Sequence, residues 1–137
     1  MERITVKNTV EASAKKVWDL WSGPEHIVKW NTPSEDWHTP HAENDLRVGG
    51  TFLSRMEAKD GTFGFDFEGT YDEVVPQKRI AYTLGDGRKA EVDFNENNDD
   101  TEIITVFDAE TQNSLEMQRA GWQAILDNFK KYAENIG

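Results

Sequence analysis

Cysteine is absent from this 137-residue chain, which excludes disulfide frameworks, thiol nucleophiles and thiolate metal sites and is compatible with a reducing compartment. Long apolar runs are missing as well: none approaches the ~18 residues that a membrane span needs. The first residues, Met1-Glu-Arg-Ile-Thr5, are too polar for a signal peptide, so a cytoplasmic location is expected. Basic side chains are scarce. Fifteen Lys and Arg face 26 Asp and Glu, a formal charge of −11 that repels phosphate backbones and anionic headgroups, so neither nucleic acid nor a membrane surface is expected as a partner. Catalytic signatures are also missing: there is no Gly-x-Ser-x-Gly elbow, phosphate loop, dinucleotide fingerprint or His-Glu-x-x-His string.

What is present is one domain's worth of chain, because about 150 residues bury roughly 70% of their unfolded surface around one core. A single domain over residues 1–137 is therefore expected. Hydrophobic residues make up only 36% of the chain, but aromatics reach 11% and are expected to carry much of the core.

Ile4 and Val6 alternate with polar neighbours, predicting a strand over about residues 2–10. Ser13 is a good N-cap for a short helix carrying Val17, Trp18, Leu20 and Trp21. Pro24, with Ser22 and Glu25 at capping-box spacing, starts a second short helix with Ile27, Val28 and Trp30. Residues 31–44 contain two prolines and no periodicity and read as a loop anchored by Trp37.

Five alternating runs follow, separated by Asp60-Gly61, Val75-Pro-Gln-Lys78, Gly85-Asp-Gly87 and Asn97-Asn-Asp-Asp100. They predict an antiparallel meander with Phe52, Met56, Phe63, Phe65, Phe67, Tyr71, Ile80, Tyr82, Leu84, Val92, Phe94, Ile103, Thr105 and Phe107 on its apolar face. The carboxylates Asp66, Glu68, Asp72, Glu91, Asp93 and Glu102 fall on the opposite, solvated face. Asn113 and Glu116 have capping-box spacing ahead of one long helix, whose stripe runs through Leu115, Gln118, Trp122, Ile125, Leu126, Phe129, Tyr132, Ala133 and Ile136. The fold class is α+β: a curved antiparallel sheet of about six strands packed on a long C-terminal helix, with two short helices after the first strand.

The strings Pro40-His-Ala-Glu-Asn-Asp-Leu-Arg-Val-Gly-Gly-Thr-Phe52, Phe67-Glu-Gly-Thr-Tyr-Asp-Glu-Val-Val-Pro76, Arg79-Ile-Ala-Tyr-Thr83 and Gly121-Trp122 resemble the AHSA-like family, the homologues of the activator of heat-shock-protein-90 ATPase. The resemblance runs from the Val17-Trp18 helix to the last helix. It implies a START-like, birch-pollen-allergen-like (SRPBCC) helix-grip fold with a cavity between sheet and long helix. Members of that superfamily range from lipid and polyketide binders to cyclases and co-chaperone modules, so the fold alone does not select an activity. The resemblance covers one domain, so a counterpart of the eukaryotic activator's additional N-terminal chaperone-binding domain is not expected here.

Within that frame the expected cavity residues are Gln118, Trp122, Phe52, Met56, Phe65, Phe67, Tyr71, Tyr82, Phe94 and Thr105. Gln118 interrupts an apolar stripe and needs a partner, either a ligand or Tyr71, Tyr82, Ser54 or a water. Trp122 is expected near the cavity and Trp18 in the core, while Gly121 suggests a close helix–sheet approach. His38, His41 and Glu43 have the right chemistry for a metal, but they share a Pro-containing segment with no ordered further ligand, so neither metal nor cofactor is expected. Three functional classes stay open. The first is non-enzymatic binding of a small apolar or amphipathic molecule. The second is a protein-interaction or co-chaperone module using the acidic face, and the third is a cavity enzyme such as a cyclase or hydrolase, for which the sequence offers no assembled nucleophile–base pair. The assembly is expected to be a monomer or homodimer.

Overall fold

The computed structural model describes residues 2–136. Strand β1 (Arg3–Val10) leads into helices α1 (Ala14–Ser22) and α2 (Pro24–Trp30), followed by strands β2 (Trp37–Asn44), β3 (Thr51–Ala58), β4 (Gly64–Val75), β5 (Arg79–Leu84), β6 (Lys89–Asn97) and β7 (Asp100–Asp108), and helix α3 (Leu115–Asn135). All seven strands form one antiparallel sheet in the order β1-β7-β6-β5-β4-β3-β2. It curls into a half-barrel, because a twisted sheet with one apolar face needs only one helical cover.

The seventh strand is the one that the sequence reads as loop. β2 is an edge strand paired only with β3, and its register shifts between His38 and His41, around Pro40. An edge position with a bulge is where a strand tolerates a residue without an N–H, and the proline also hides the period-2 signal.

Local chemistry sets the helix starts. Ser13 Oγ accepts from Lys16 N at 3.2 Å, as anticipated. Two other caps differ. α2 begins after Gly23 with no side-chain cap, Pro24 in its first turn and Ser22 already inside α1. The cap of α3 is Ser114, whose Oγ accepts from Met117 N at 3.1 Å, one residue beyond the expected Asn113.

The core contains Ile4, Val6, Val10, Val17, Ile80, Val92, Ile103, Phe107 and Phe129, all with at most 2% exposure. Helix α3 lies along edge strand β1 and is stapled to it: Asn8 Nδ2 donates to Leu126 O, Gln123 Nε2 to Lys7 O, and Glu11 N to Glu134 Oε2. Its C-terminal half packs Phe129 against Trp21 and Trp30, with ring centroids 4.9 Å apart in both pairs. Leu115, expected on the buried stripe, is exposed. No helix among the described residues is long and apolar enough to cross a membrane.

Candidate functional site

Between the N-terminal half of α3 and the concave face of β3–β7 lies a cavity of about 430 Å³, within the range of small-molecule sites. Strand register explains its walls. Ser54 pairs with Phe67, Met56 with Phe65, Tyr71 with Tyr82, and Thr105 with Val92, so these side chains all project from the concave face. Phe52 reaches inward over Gly69, where a Cβ would come within 2.9 Å of the Phe52 ring. There glycine is required for the close approach. The roof is Gly121, Trp122, Ile125 and Leu126 of α3. Trp122 stacks on Phe107 at 3.8 Å between centroids and meets the edge of Phe67 at 6.0 Å.

Of the ten residues expected at the cavity, Gln118, Trp122, Phe52, Met56, Phe65, Phe67, Tyr71, Tyr82 and Thr105 line it. Phe94 does not. It projects from the same sheet face but lies farther along β6, beneath α1, where the rings of Trp18 and Trp21 cover it at 5.5 and 5.6 Å. Alternation identifies the face of a strand residue but not which helix lies over it. Trp18 itself packs against the core from a partly buried position.

Gln118 reaches the cavity wall, yet its amide is already engaged, and not by the partners expected. Oε1 accepts from Glu110 N at 2.8 Å, while Nε2 donates to Glu110 O at 3.2 Å and Asn113 O at 2.9 Å. The side chain therefore clamps the β7–α3 loop onto the helix. Gly121 is also corrected: a Cβ there would meet nothing within 4 Å, so the glycine leaves space where close packing was expected.

The polar groups open to the cavity are others. The Tyr71 hydroxyl donates to Asn44 Oδ1, and Asn44 Nδ2 donates to Ser22 O at 2.7 Å, a chain that ties β4 to β2 and α1. The hydroxyls of Ser54, Tyr82 and Thr105 make no hydrogen bond among the described residues and are not among the fully buried polar atoms; they open onto the cavity. Tyr82 is only half-buried by surface area although protein surrounds it deeply, because the surface it leaves open faces the cavity. Burial pushes its phenol above the ordinary tyrosine range, the neighbouring Tyr71 adds to this, and the positive charge of Arg88 opposes it. Burial likewise raises Tyr71, against the hydrogen bond to Asn44.

Sequence reasoning missed the α1–α2 contribution to the cavity, Trp21, Ile27 and Trp30, and also Arg88. A signal for Arg88 existed: it lies two residues before Ala90, and Ala90, Val92 and Phe94 form the buried alternation of β6.

His41 Nε2 lies 2.7 Å from Glu43 Oε2 within β2, and His38 Nε2 lies 3.5 Å from Glu57 Oε1 of β3. Among the described residues no group of three or more His, Cys, Asp or Glu is placed to hold a metal ion. On the convex face the carboxylates share arginines: Arg79 bridges Glu73, Glu91 and Asp93, Arg3 bridges Glu91 and Asp108, and Arg55 bridges Glu57 and Asp66.

Comparison with solved structures finds close likenesses. The AHSA1-like protein of Aeromonas hydrophila is 43% identical, with a TM-score of 0.91 over 97% of this chain and 92% of that one. A protein of Cytophaga hutchinsonii is 51% identical, with a TM-score of 0.84 over the same shares. An Aha1 dimer from Colwellia psychrerythraea, at 14% identity, a TM-score of 0.76 and 98% coverage of both chains, shares the fold. Comparison with curated proteins gives no match. The family model for Activator of Hsp90 ATPase homolog 1-like protein matches residues 11–134. With sequence likeness and architecture in agreement over nearly the whole chain, it belongs to the Activator of Hsp90 ATPase homolog 1-like family, within the SRPBCC helix-grip superfamily.

Proposed function

We propose that the protein binds one small apolar or amphipathic molecule in the cavity between the sheet and α3, without chemical turnover. The supporting observation is the cavity: about 430 Å³ walled largely by aromatic and aliphatic side chains, with the hydroxyls of Ser54, Tyr82 and Thr105 on its wall. Each of these hydroxyls opens onto the cavity, where a ligand's polar group or a water can meet it. Turnover has less support. The two cavity phenols are pushed up, away from the neutral range where a general base works best, and among the described residues that line the cavity there is neither a Cys nor a His to form a nucleophile–base pair.

The family supports a second reading, a protein-interaction or co-chaperone module. The convex face favours it less than its carboxylates alone suggest, because Arg79, Arg3 and Arg55 neutralise much of the charge that would attract a basic partner.

The test is titration of delipidated protein with a neutral environment-sensitive dye, N-phenyl-1-naphthylamine. One-to-one binding with a change in tryptophan fluorescence is expected. Gly121→Leu should keep the fold, since a side chain there enters open space, and should weaken dye binding by about tenfold or more by filling the cavity. An absence of stoichiometric binding, or equal affinity in Gly121→Leu, refutes the reading. Native mass spectra of the same samples report any co-purified ligand and distinguish monomer from homodimer.

A further inference from the structure

At the turn between β5 and β6, Gly87 adopts φ 92°, and the alternation of β6 then starts with Arg88 on the same face as Ala90 and Val92. Tyr82 is the register partner of Ala90, which places the phenol and the guanidinium on the same concave wall of neighbouring strands. Both line the cavity. A cation on an otherwise apolar inner face is unusual, since charged side chains are rarely drawn inward without a counter-charge.

The internal counter-charge is partial. Asp86 accepts from Arg88 N at 3.1 Å and from Arg88 Nε at 2.7 Å, which orients the stem. The two terminal nitrogens have no partner among the described residues. The other carboxylates of the cavity rim are engaged elsewhere: Glu43 lies against His41, and Glu110 accepts from the backbone of Gln112 and Asn113. The free edge of the guanidinium and the free hydroxyl of Tyr82 are therefore both donors without acceptors.

We infer that the cavity ligand is an anion, an apolar and preferably aromatic body bearing a carboxylate that pairs with the terminal nitrogens of Arg88 and accepts the Tyr82 hydroxyl. The inference rests on the cavity reading and adds the head group to it. A guanidinium edge presents two parallel N–H groups that match a carboxylate, and a third donor from the phenol fixes the rotation of the head group. In a protein of charge −11, general attraction for anions is absent, so a carboxylate preference has to arise locally.

The experiment measures displacement of N-phenyl-1-naphthylamine by 2-naphthoate and by the neutral 2-naphthamide, which share one apolar body. In the wild type the acid should bind about tenfold or more tighter than the amide. Arg88→Gln should abolish that preference while keeping the affinity for the neutral dye, which also reports that the variant is folded. Tyr82→Phe should lower the acid's affinity by a smaller factor, about threefold. Equal affinities in the wild type, or an acid preference that survives Arg88→Gln, overturn the head-group assignment while leaving the cavity reading intact if the dye still binds. Failure of the dye to bind the wild type overturns both.

Discussion

Replacing Gln118 by Leu separates a structural clamp from a ligand contact. The side chain is 7% exposed and makes three hydrogen bonds, accepting from Glu110 N and donating to Glu110 O and Asn113 O. Leu has nearly the same volume and no polar atoms, so it removes all three bonds without opening a large space. Each is worth about 0.5–1.5 kcal/mol, and the abandoned backbone groups add a desolvation cost wherever water cannot reach them. Asn113 is exposed and Glu110 half-buried, so water recovers part of the loss. The net cost is about 1.5–3 kcal/mol, or roughly 5–10 °C in melting temperature for a domain of this size. Urea unfolding followed by tryptophan fluorescence measures it, and hydrogen exchange at the Glu110 amide should show lost protection in the same variant. Had the amide been free in the cavity, Leu would leave stability unchanged or raise it. A Gln118→Leu protein as stable as the wild type, with the Glu110 amide still protected, would refute the clamp.

Trp122→Ala removes the stack on Phe107 and the edge contact with Phe67 and should cost about 3 kcal/mol, near the lower end for large aromatics because the ring already borders open space; chemical denaturation checks it. Gly121→Ala should add about 0.5–1 kcal/mol, since helical glycine is unfavourable and nothing lies within 4 Å of the new methyl, and a lower melting temperature would contradict the open roof. The phenols of Tyr71, Tyr82 and Tyr132 are all pushed up, burial being the largest cause in each. Unfolded tyrosines ionise near about pH 10, so the folded state holds its protons longer; the stability this confers is complete below about pH 10 and is lost as pH rises beyond it. Absorbance at 295 nm followed against circular dichroism should show the cavity phenols ionising together with alkaline unfolding. Ionisation near pH 10 in a still folded protein would count against their burial.

Much of the architecture was legible because periodicity is local. The alternation of β1 and β3–β7 and the stripe of α3 follow from which residues are apolar, and the turns at Asp60-Gly61 and Gly85-Asp-Gly87 mark the hairpins. The strings from Pro40 to Trp122 identified the family, and the inward faces of the strands (seven residues) together with the stripe of α3 (Gln118 and Trp122) account for the nine of the ten expected residues that line the cavity. β2 was not legible, since Pro40 and its bulge erase the pattern in a strand held only by pairing with β3.

Partner choice for polar groups lies beyond periodicity as well. Whether Gln118 meets a ligand or the Glu110 backbone depends on how the β7–α3 loop folds back, and whether Gly121 marks close packing or open space depends on where α3 settles along β1. The sequence by itself determined which faces are apolar and in what order the elements come, because those are properties of nearest neighbours along the chain. Only the tertiary structure decided that the cavity's free polar groups are Arg88, Tyr82, Ser54 and Thr105 rather than Gln118, because hydrogen-bond satisfaction is settled between groups that are brought together only when the sheet curls beneath α3.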